Sequence, residues 1–310
     1  IHDGFLLAAL ALNATERLKV LISVLVAFPR SPMNVALTSW DLQAMSKGRF
    51  ELGLGTQIKQ NIEDRYSATW SAPAPRMREY IGALRAIFDA FQNGTRLSYI
   101  SEHYRFTRLQ PFFNPGPIEH PHVPLLMGAV GPVMTALAGE IADGMITHPT
   151  NTPPRYVREV VLPRLREGAL RHGRDLDSFK LVLGSLVATG PDTASVAKER
   201  EKWRRMLGFL YSTPAYWPSL ELFGWQDRGE QLLAMTRENR WDRMREIIDD
   251  EMLDAFVPAG TYADIPAELE RRFGGLSGYI TLMMPEDPAL DAQLAEVVAT
   301  LRGGRAGGGG

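Results

Sequence analysis

Residues 18–56, LKVLISVLVAFPRSPMNVALTSWDLQAMSKGRFELGLGT, spell one strand, one helix and a second strand. Leu18–Phe28 is nearly all apolar and rich in β-branched residues, the pattern of a strand covered on both faces. Ser31 is a good helix cap and Pro32 suits the first helical position. Behind them Ala36, Leu37, Trp40, Leu42 and Met45 recur at helical spacing, and Lys47-Gly48 stops the run because Gly takes a left-handed backbone freely. Phe50–Leu54 is again a short apolar strand. Two doubly buried strands joined by a helix point to a parallel pair with a crossover connection.

The alternation extends outward from this unit. Asp3 caps a helix carrying Phe5, Leu6, Ala9, Leu10 and Leu12, closed at Thr15–Arg17. Pro75 precedes a helix with Met77, Ile81, Leu84, Ile87, Phe88 and Phe91 on one face, ended by Gly94, and residues 97–107 alternate like a small hairpin. Further strands are expected at 123–127, 145–147, 180–189 and 279–284, with helices at 132–141, 156–172 (kinked by Pro163) and 288–301. The segment from about 192 to 272 is helical, Ala255–Val257 being its one strand candidate. Such alternation builds either a doubly wound sheet or a closed barrel. A closed (β/α)8 TIM barrel needs two more strands than these six, and the chain opens on a helix. The expectation is an α/β barrel of this type whose first strands are missing, one domain over residues 1–302, with a helical insertion (192–272) before the last strand. The Gly-rich tail 303–310 is expected to be disordered.

Composition narrows the function. With 34 Lys and Arg against 36 Asp and Glu, the net charge of −2 gives no general attraction for nucleic acid. No cysteine is present, so disulfides, thiolate nucleophiles and Cys-bound metals are excluded. No apolar run is long enough to span a bilayer and no signal-peptide pattern occurs, so a cytoplasmic enzyme with a small-molecule substrate, no membrane partner and a homodimeric assembly is expected. The histidines form no metal-binding spacing and no GxSxG elbow occurs, so no metal is expected.

Active groups of such a barrel sit where strands end and loops begin. After the first strand, Pro29 and Pro32 stiffen a loop carrying Arg30, which either faces a ligand or is a solvated turn residue. Gly53 and Gly55 either let a flat ligand approach the backbone or make a tight strand exit, and Thr56 adds a hydroxyl donor. Gly128-Ala129-Val130-Gly131 joins a buried strand to a helix opening at Pro132; small residues before a helix N-terminus suit phosphate, although a plain turn has the same composition. His148, at the end of the 145–147 strand, and His2, at the start of the chain, are the candidate catalytic groups, each with a structural alternative. Arg76 and Arg78 at a helix start oppose the dipole there, so an anionic ligand tail or an Arg–Glu network is expected to use them, and Lys59 is a further cation near the strand ends. The bulky residues Trp203, Phe209, Tyr211, Tyr216, Trp217, Phe223, Trp225 and Trp241 mostly pack an added helical layer, and a minority could line an apolar pocket or a dimer surface.

Together with RMREYIGALRAIFDAF, PLLMGAVGPVMTALAGEIADGMI and STPAYWPSLELFGW, the stretch 18–56 resembles the bacterial luciferase-like monooxygenases, and within them an actinobacterial group of F420-dependent oxidoreductases. The resemblance spans nearly the whole chain. It implies a cis peptide at Ser23-Val24 backing a deazaflavin ring, a contact from Thr56 to the ring or its side chain, and a phosphate loop at Gly128, Ala129, Val130 and Gly131. The matching end of the sixth family strand is Thr147-His148, and Arg76 becomes a candidate for the polyanionic tail. An acid that some F420 enzymes carry two positions after the Thr is Ile58 here, so their acid chemistry does not transfer. The resemblance thus implies hydride transfer between F420 and a small organic substrate, with FMN as the alternative cofactor and a catalytically silent binding barrel as the alternative class.

Overall fold

The computed structural model describes residues 2–303; the tail from residue 304 on, expected to be disordered, lies outside the described residues. In chain order the main elements are α1 (Gly4–Asn13), β1 (Val20–Val26), α2 (Pro32–Met45), β2 (Phe50–Gly55), α3 (Pro73–Asn93), β3 (Tyr99–Ile100), β4 (Arg105–Phe106), β5 (Leu125–Ala129), α4 (Pro132–Ile141) and β6 (Gly144–Thr147). They continue with α5 (Pro154–Tyr156), α6 (Leu162–Arg171), β7 (Lys180–Leu183), β8 (Ala188–Gly190), α7 (Thr193–Tyr211), α8 (Pro218–Phe223), α9 (Gln226–Arg237), α10 (Asp250–Phe256), β9 (Ala259–Thr261), α11 (Ile265–Phe273), β10 (Tyr279–Ile280) and α12 (Asp291–Gly303). Two compact units form. One takes the described residues up to Ala129 with Val133–Ile146 and Arg164–Lys180; the other takes Val130–Pro132, Thr147–Pro163 and the described residues from Leu181 on.

The first unit is an α/β layer. β1 and β2 pair in parallel, as do β2 and β5, and β6 follows β5 in the sheet. The caps are those the sequence announces. Asp3 accepts from Phe5 N at 3.0 Å, Ser31 accepts from Met33 N, and Gly94 closes α3 at φ 65°. α1 ends at Asn13, before Thr15, whose hydroxyl turns back onto Ala11 O at 2.7 Å. Val35, Trp40 and Leu42 of α2, Met77, Ile81, Leu84 and Ile87 of α3, and Phe50, Leu52 and Leu54 of β2 are almost wholly buried, with Trp40 stacked on Phe88. α4 and α6 approach backbone to backbone: a Cβ on Gly168 would lie 1.8 Å from Ala136 O, and one on Gly139 would lie 2.1 Å from Leu165 O. Lys180 Nζ meets the buried carboxylate of Glu51 at 2.5 Å. The 97–107 hairpin forms as read, β3 antiparallel to β4.

In the second unit β7 pairs in parallel with β10, and a separate core of Trp203, Leu207, Tyr211, Leu220, Met252 and Phe256 joins the helices after β8. Here several expectations are corrected. The run 180–189 is two strands, because the chain breaks at Gly184-Ser185 and β8 leaves to pair with β9. Ala255–Val257 is no strand: Asp249 caps α10 by accepting from Met252 N, and the helix runs through Phe256. The strand lies just beyond, at Ala259–Thr261, inside a segment expected to be helical. The 279–284 run keeps only Tyr279 and Ile280 in the sheet; Thr281 still donates to Leu183 O before the chain turns away at Pro285. The 123–127 strand is shifted to 125–129. Pro163, expected to kink its helix, is preceded by a wide π turn at Val157–Val161, which accommodates the backbone bond that a proline cannot make. Among the described residues no helix is long and apolar enough to cross a membrane.

Candidate functional site

In the first unit an open cleft of about 700 Å3 runs between α1 and the whole of β1, reaching Arg30 and Tyr66. His2 and Asp3 line it at the start of α1. Asp3 has two tasks: one carboxylate oxygen caps α1, and the other accepts from Arg30 Nη2 at 2.5 Å. Partial burial works against its charge, but Arg30 and the two backbone donors prevail and hold the carboxyl below its ordinary range. Asp3 is therefore an anchor that ties the loop after β1 to the first helix.

β1 carries a bulge between Ile22 and Leu25, and the Ser23-Val24 peptide is cis. Val24 turns toward two glycines on neighbouring strands. A Cβ on Gly55 would lie 2.5 Å from Val24 Cγ2, and one on Gly128 would lie 3.0 Å from Val24 Cγ1. Gly53 is crowded too, its missing Cβ falling 2.3 Å from Ile22 O. These glycines therefore do not leave bare backbone for a flat ligand: β1 itself fills the room they make. Thr56 follows directly, half-buried, and its hydroxyl has no hydrogen-bond partner among the described residues. Gln57 turns the chain at φ 62° and Ile58 is exposed, so no carboxylate stands at that position.

The cations each meet an internal partner. Arg76 donates to Tyr104 Oη at 3.0 Å, Thr69 O at 2.6 Å and Phe28 O at 3.3 Å, with its guanidinium 4.4 Å from the Phe28 ring centre. It thereby pins the end of β1 to the hairpin. Arg78 binds Glu140 with two bonds of 2.6 and 2.7 Å, the Arg–Glu arrangement its position allowed. Lys59 lies 3.8 Å from Glu63. Glu79, Glu102 and His103 bring their possible ligand atoms within 4.8 Å of one another, but Glu79 Oε2 already accepts from His103 N and faces its Nδ1 at 3.0 Å. That group closes the hairpin onto α3.

The loop from Gly128 to Gly131 leads from β5 into α4. Ala129 is buried, and the Val130 carbonyl accepts from Asn151 Nδ2 at 3.1 Å. A Cβ on Gly131 would meet nothing within 4 Å, so open space lies before the N-terminal end of the helix.

In the second unit His148 follows β6. Its ring stacks on Tyr216 with centroids 4.7 Å apart and planes 15° apart. Its Nδ1 lies 2.9 Å from Thr150 Oγ1 and accepts from Thr150 N at 3.4 Å. Burial pushes the imidazole down to about 4, so the ring is neutral near pH 7. Thr147 is buried, 2.6 Å from Thr152 Oγ1, and accepts from Gly184 N at 3.0 Å, which fixes the end of β6. Tyr211 Oη reaches Ser219 Oγ at 2.9 Å and Thr150 O at 3.4 Å, tying α7 to the same turn. Thr150 and Tyr216 escaped the sequence reading as partners of His148. Tyr216 was visible only as one aromatic among many.

Comparison with known proteins agrees with this architecture. The family model described as luciferase-like monooxygenase matches residues 1–276. An uncharacterized protein of Mycobacterium tuberculosis is 43% identical over 275 residues, covering 89% of this chain and 81% of its own. An F420-dependent glucose-6-phosphate dehydrogenase of Nakamurella multipartita is 30% identical over 274 residues, covering 85% and 76%. Among solved structures, the coenzyme F420 dependent tetrahydromethanopterin reductase from Methanopyrus kandleri superposes with a TM-score of 0.76 at 20% identity, over 96% of this chain and 86% of that one. With a family match across most of its length, the chain belongs to the luciferase-like monooxygenase family.

Proposed function

We propose that this protein is an F420-dependent oxidoreductase, with the fold of the family's (β/α)8 barrel, that transfers a hydride between the deazaflavin and a small organic substrate. The observation that carries the reading is the loop before α4. Gly131 leaves space that a side chain would fill, Asn151 holds the Val130 carbonyl, and the adjoining helix end favours an anion. The relatives named for F420 supply the choice of cofactor.

The residues present fit such a group. Gly128, Ala129, Val130 and Gly131 would hold its phosphate. Ser23 and Val24 would back the ring, and the unpartnered Thr56 hydroxyl would donate to it. Arg76 serves this arrangement from behind, by fixing Phe28 at the end of β1. When bound, the deazaflavin supplies or accepts the hydride; the protein orients the ring and keeps water from it.

The test is a titration of the purified protein with F420 and, separately, with FMN, followed by absorbance and fluorescence. Binding of F420 in preference to FMN is expected. Gly131→Asp, which places a negative charge in the open space before the helix, should weaken F420 binding at least about tenfold, roughly 1.4 kcal/mol. Binding of FMN alone would shift the assignment to a flavin monooxygenase. Binding of neither would leave a catalytically silent barrel.

A further inference from the structure

From the segment 57–67 we infer a hinged flap, latched by one buried side chain, that opens as a unit and covers Thr56 when shut. The inference goes beyond the cofactor reading, since it holds whichever ligand the strand ends take. The chain leaves β2 at Gly55, passes Thr56 and enters the segment at Gln57 with φ 62°; it leaves at Ser67 with φ 50°. Both residues carry a side chain in the left-handed region that favours glycine, so the backbone turns sharply at each end. Hinges are built this way, from a few residues at the ends of elements that absorb the change in φ and ψ.

Between these ends lies a short helical turn, widened to a π turn at Asn61–Arg65. Gln57, Ile58, Lys59 and Gln60 are exposed, as are the residues from Glu63 to Ser67; Asn61 is half-buried, and Ile62 alone is wholly buried. The polar groups are satisfied within the segment. Ile62 N donates to Ile58 O at 3.1 Å, Tyr66 N donates to Asn61 O at 3.0 Å, and Gln57 Oε1 accepts from Ile58 N and Asn61 Nδ2, both at 3.1 Å. Lys59 faces Glu63, and the Arg65 guanidinium lies over the Tyr66 ring. The bond from Ala68 N to Ile62 O, at 3.0 Å, reaches only the next residue along the chain. Among the described residues no hydrogen bond or ion pair ties the segment to a distant element. Swinging it outward therefore keeps its internal bonds and uncovers one buried side chain, which makes a local opening far easier than global unfolding. Tyr66, on the same segment, lines the cleft between α1 and β1 together with Pro29 and Arg30. Opening removes that wall of the cleft as it uncovers Thr56.

Two measurements on the whole chain test this. In hydrogen exchange followed by mass spectrometry, the segment 58–66 should be at least about 100-fold less protected than the α3 segment 81–91. Ile62→Ala should speed exchange of the flap at least about tenfold further and leave α3 unchanged. Ile62→Val should do the same about threefold, and it stands in throughout if the larger truncation does not fold. Equal protection of flap and helix, or acceleration of both together, overturns the opening as a unit. The second measurement uses the absence of cysteine from the chain. Thr56→Cys introduces the sole thiol, at a half-buried position whose hydroxyl has no hydrogen bond to lose. Its reaction with a chromogenic aryl disulfide should quicken at least about tenfold when Ile62→Ala is added. Ile58→Cys, on the exposed face of the flap, should change less than about twofold under the same addition. An unchanged rate at Thr56→Cys, or an equal gain at Ile58→Cys, overturns the covering of Thr56.

Discussion

Replacing Gly55 by Ala puts a methyl group where Val24 already stands. The new carbon would lie 2.5 Å from Val24 Cγ2, about 1 Å inside the distance at which two carbons attract. Val24 cannot simply swing aside, because its other methyl is 3.0 Å from the Cβ position of Gly128 and a β-branched side chain has few rotamers to choose from. The remaining escapes are an off-rotamer Val24, at about 0.5–1.5 kcal/mol, or a shift of the bulged strand β1. Overpacking of this kind destabilises by about 1–3 kcal/mol, and because Val24 is 39% exposed the middle of that range, about 2 kcal/mol, is expected. Val24→Ala alone removes two methyl carbons that are partly solvated, worth about 1 kcal/mol.

The double substitution separates packing from any other effect of Ala at this position. If the two side chains compete for the same space, Gly55→Ala/Val24→Ala loses only about 1 kcal/mol, where additivity requires about 3 kcal/mol. Urea unfolding followed by circular dichroism and tryptophan fluorescence, at constant denaturant slope, gives each value. Additivity within about 0.5 kcal/mol would refute the account of Gly55 as room for Val24 and restore the bare-backbone alternative.

Gly168→Ala should destabilise by at least about 2 kcal/mol despite the roughly 1 kcal/mol that Ala gains in a helix, since its methyl would sit 1.8 Å from Ala136 O; an unchanged urea midpoint would contradict this. Glu51→Gln should lose about 2 kcal/mol by removing the carboxylate charge that faces the Lys180 ammonium, whereas Glu51→Leu with Lys180→Met should recover most of it, both read as urea midpoints. Glu140 predicts an acid limb in stability. The hydrogen bonds from Arg78 hold its carboxyl in the folded protein below its ordinary value of 4.5, so its contribution is complete above about pH 4.5 and is lost as pH falls through the folded value. A plot of Tm against pH should therefore flatten below 4.5 in Glu140→Gln, and an unaltered acid limb would remove Glu140 as its source.

What was legible in the sequence was what local chemistry decides. Asp3, Ser31 and Gly94 announce helix ends because each acts on backbone atoms within a few residues. The apolar strand β2 announces itself because both its faces are covered, whereas β1, read the same way, leaves Ser23 and Val24 exposed. What was hidden depends on partners distant in sequence. Ala259–Thr261 has no strand pattern of its own and is a strand because β8 lies beside it, while Ala255–Val257 has the pattern but lies at the end of a capped helix. The 180–189 run looks continuous because its apolar residues do not show that Ala188–Gly190 pairs with a different strand, β9.

The candidate site divides along the same line. Strand-end position alone singles out Thr56, the Gly128–Gly131 loop and His148, because a parallel sheet presents its working groups there. The state of each group is another matter. Gly53 and Gly55 allowed bare backbone, and only the structure shows Ile22 O and the Val24 side chain against them. Arg76 and Arg78 looked like free cations at a helix start, yet Phe28, Tyr104 and Glu140 hold them. A lone histidine in sequence is equally compatible with an acid, a base, a metal ligand or a core residue. The Thr150 N–H, two residues on, makes Nδ1 an acceptor, and the Tyr216 ring lies against the imidazole face. Position and the Thr150 turn are written locally, whereas the aromatic face against His148 comes from Tyr216, far along the chain.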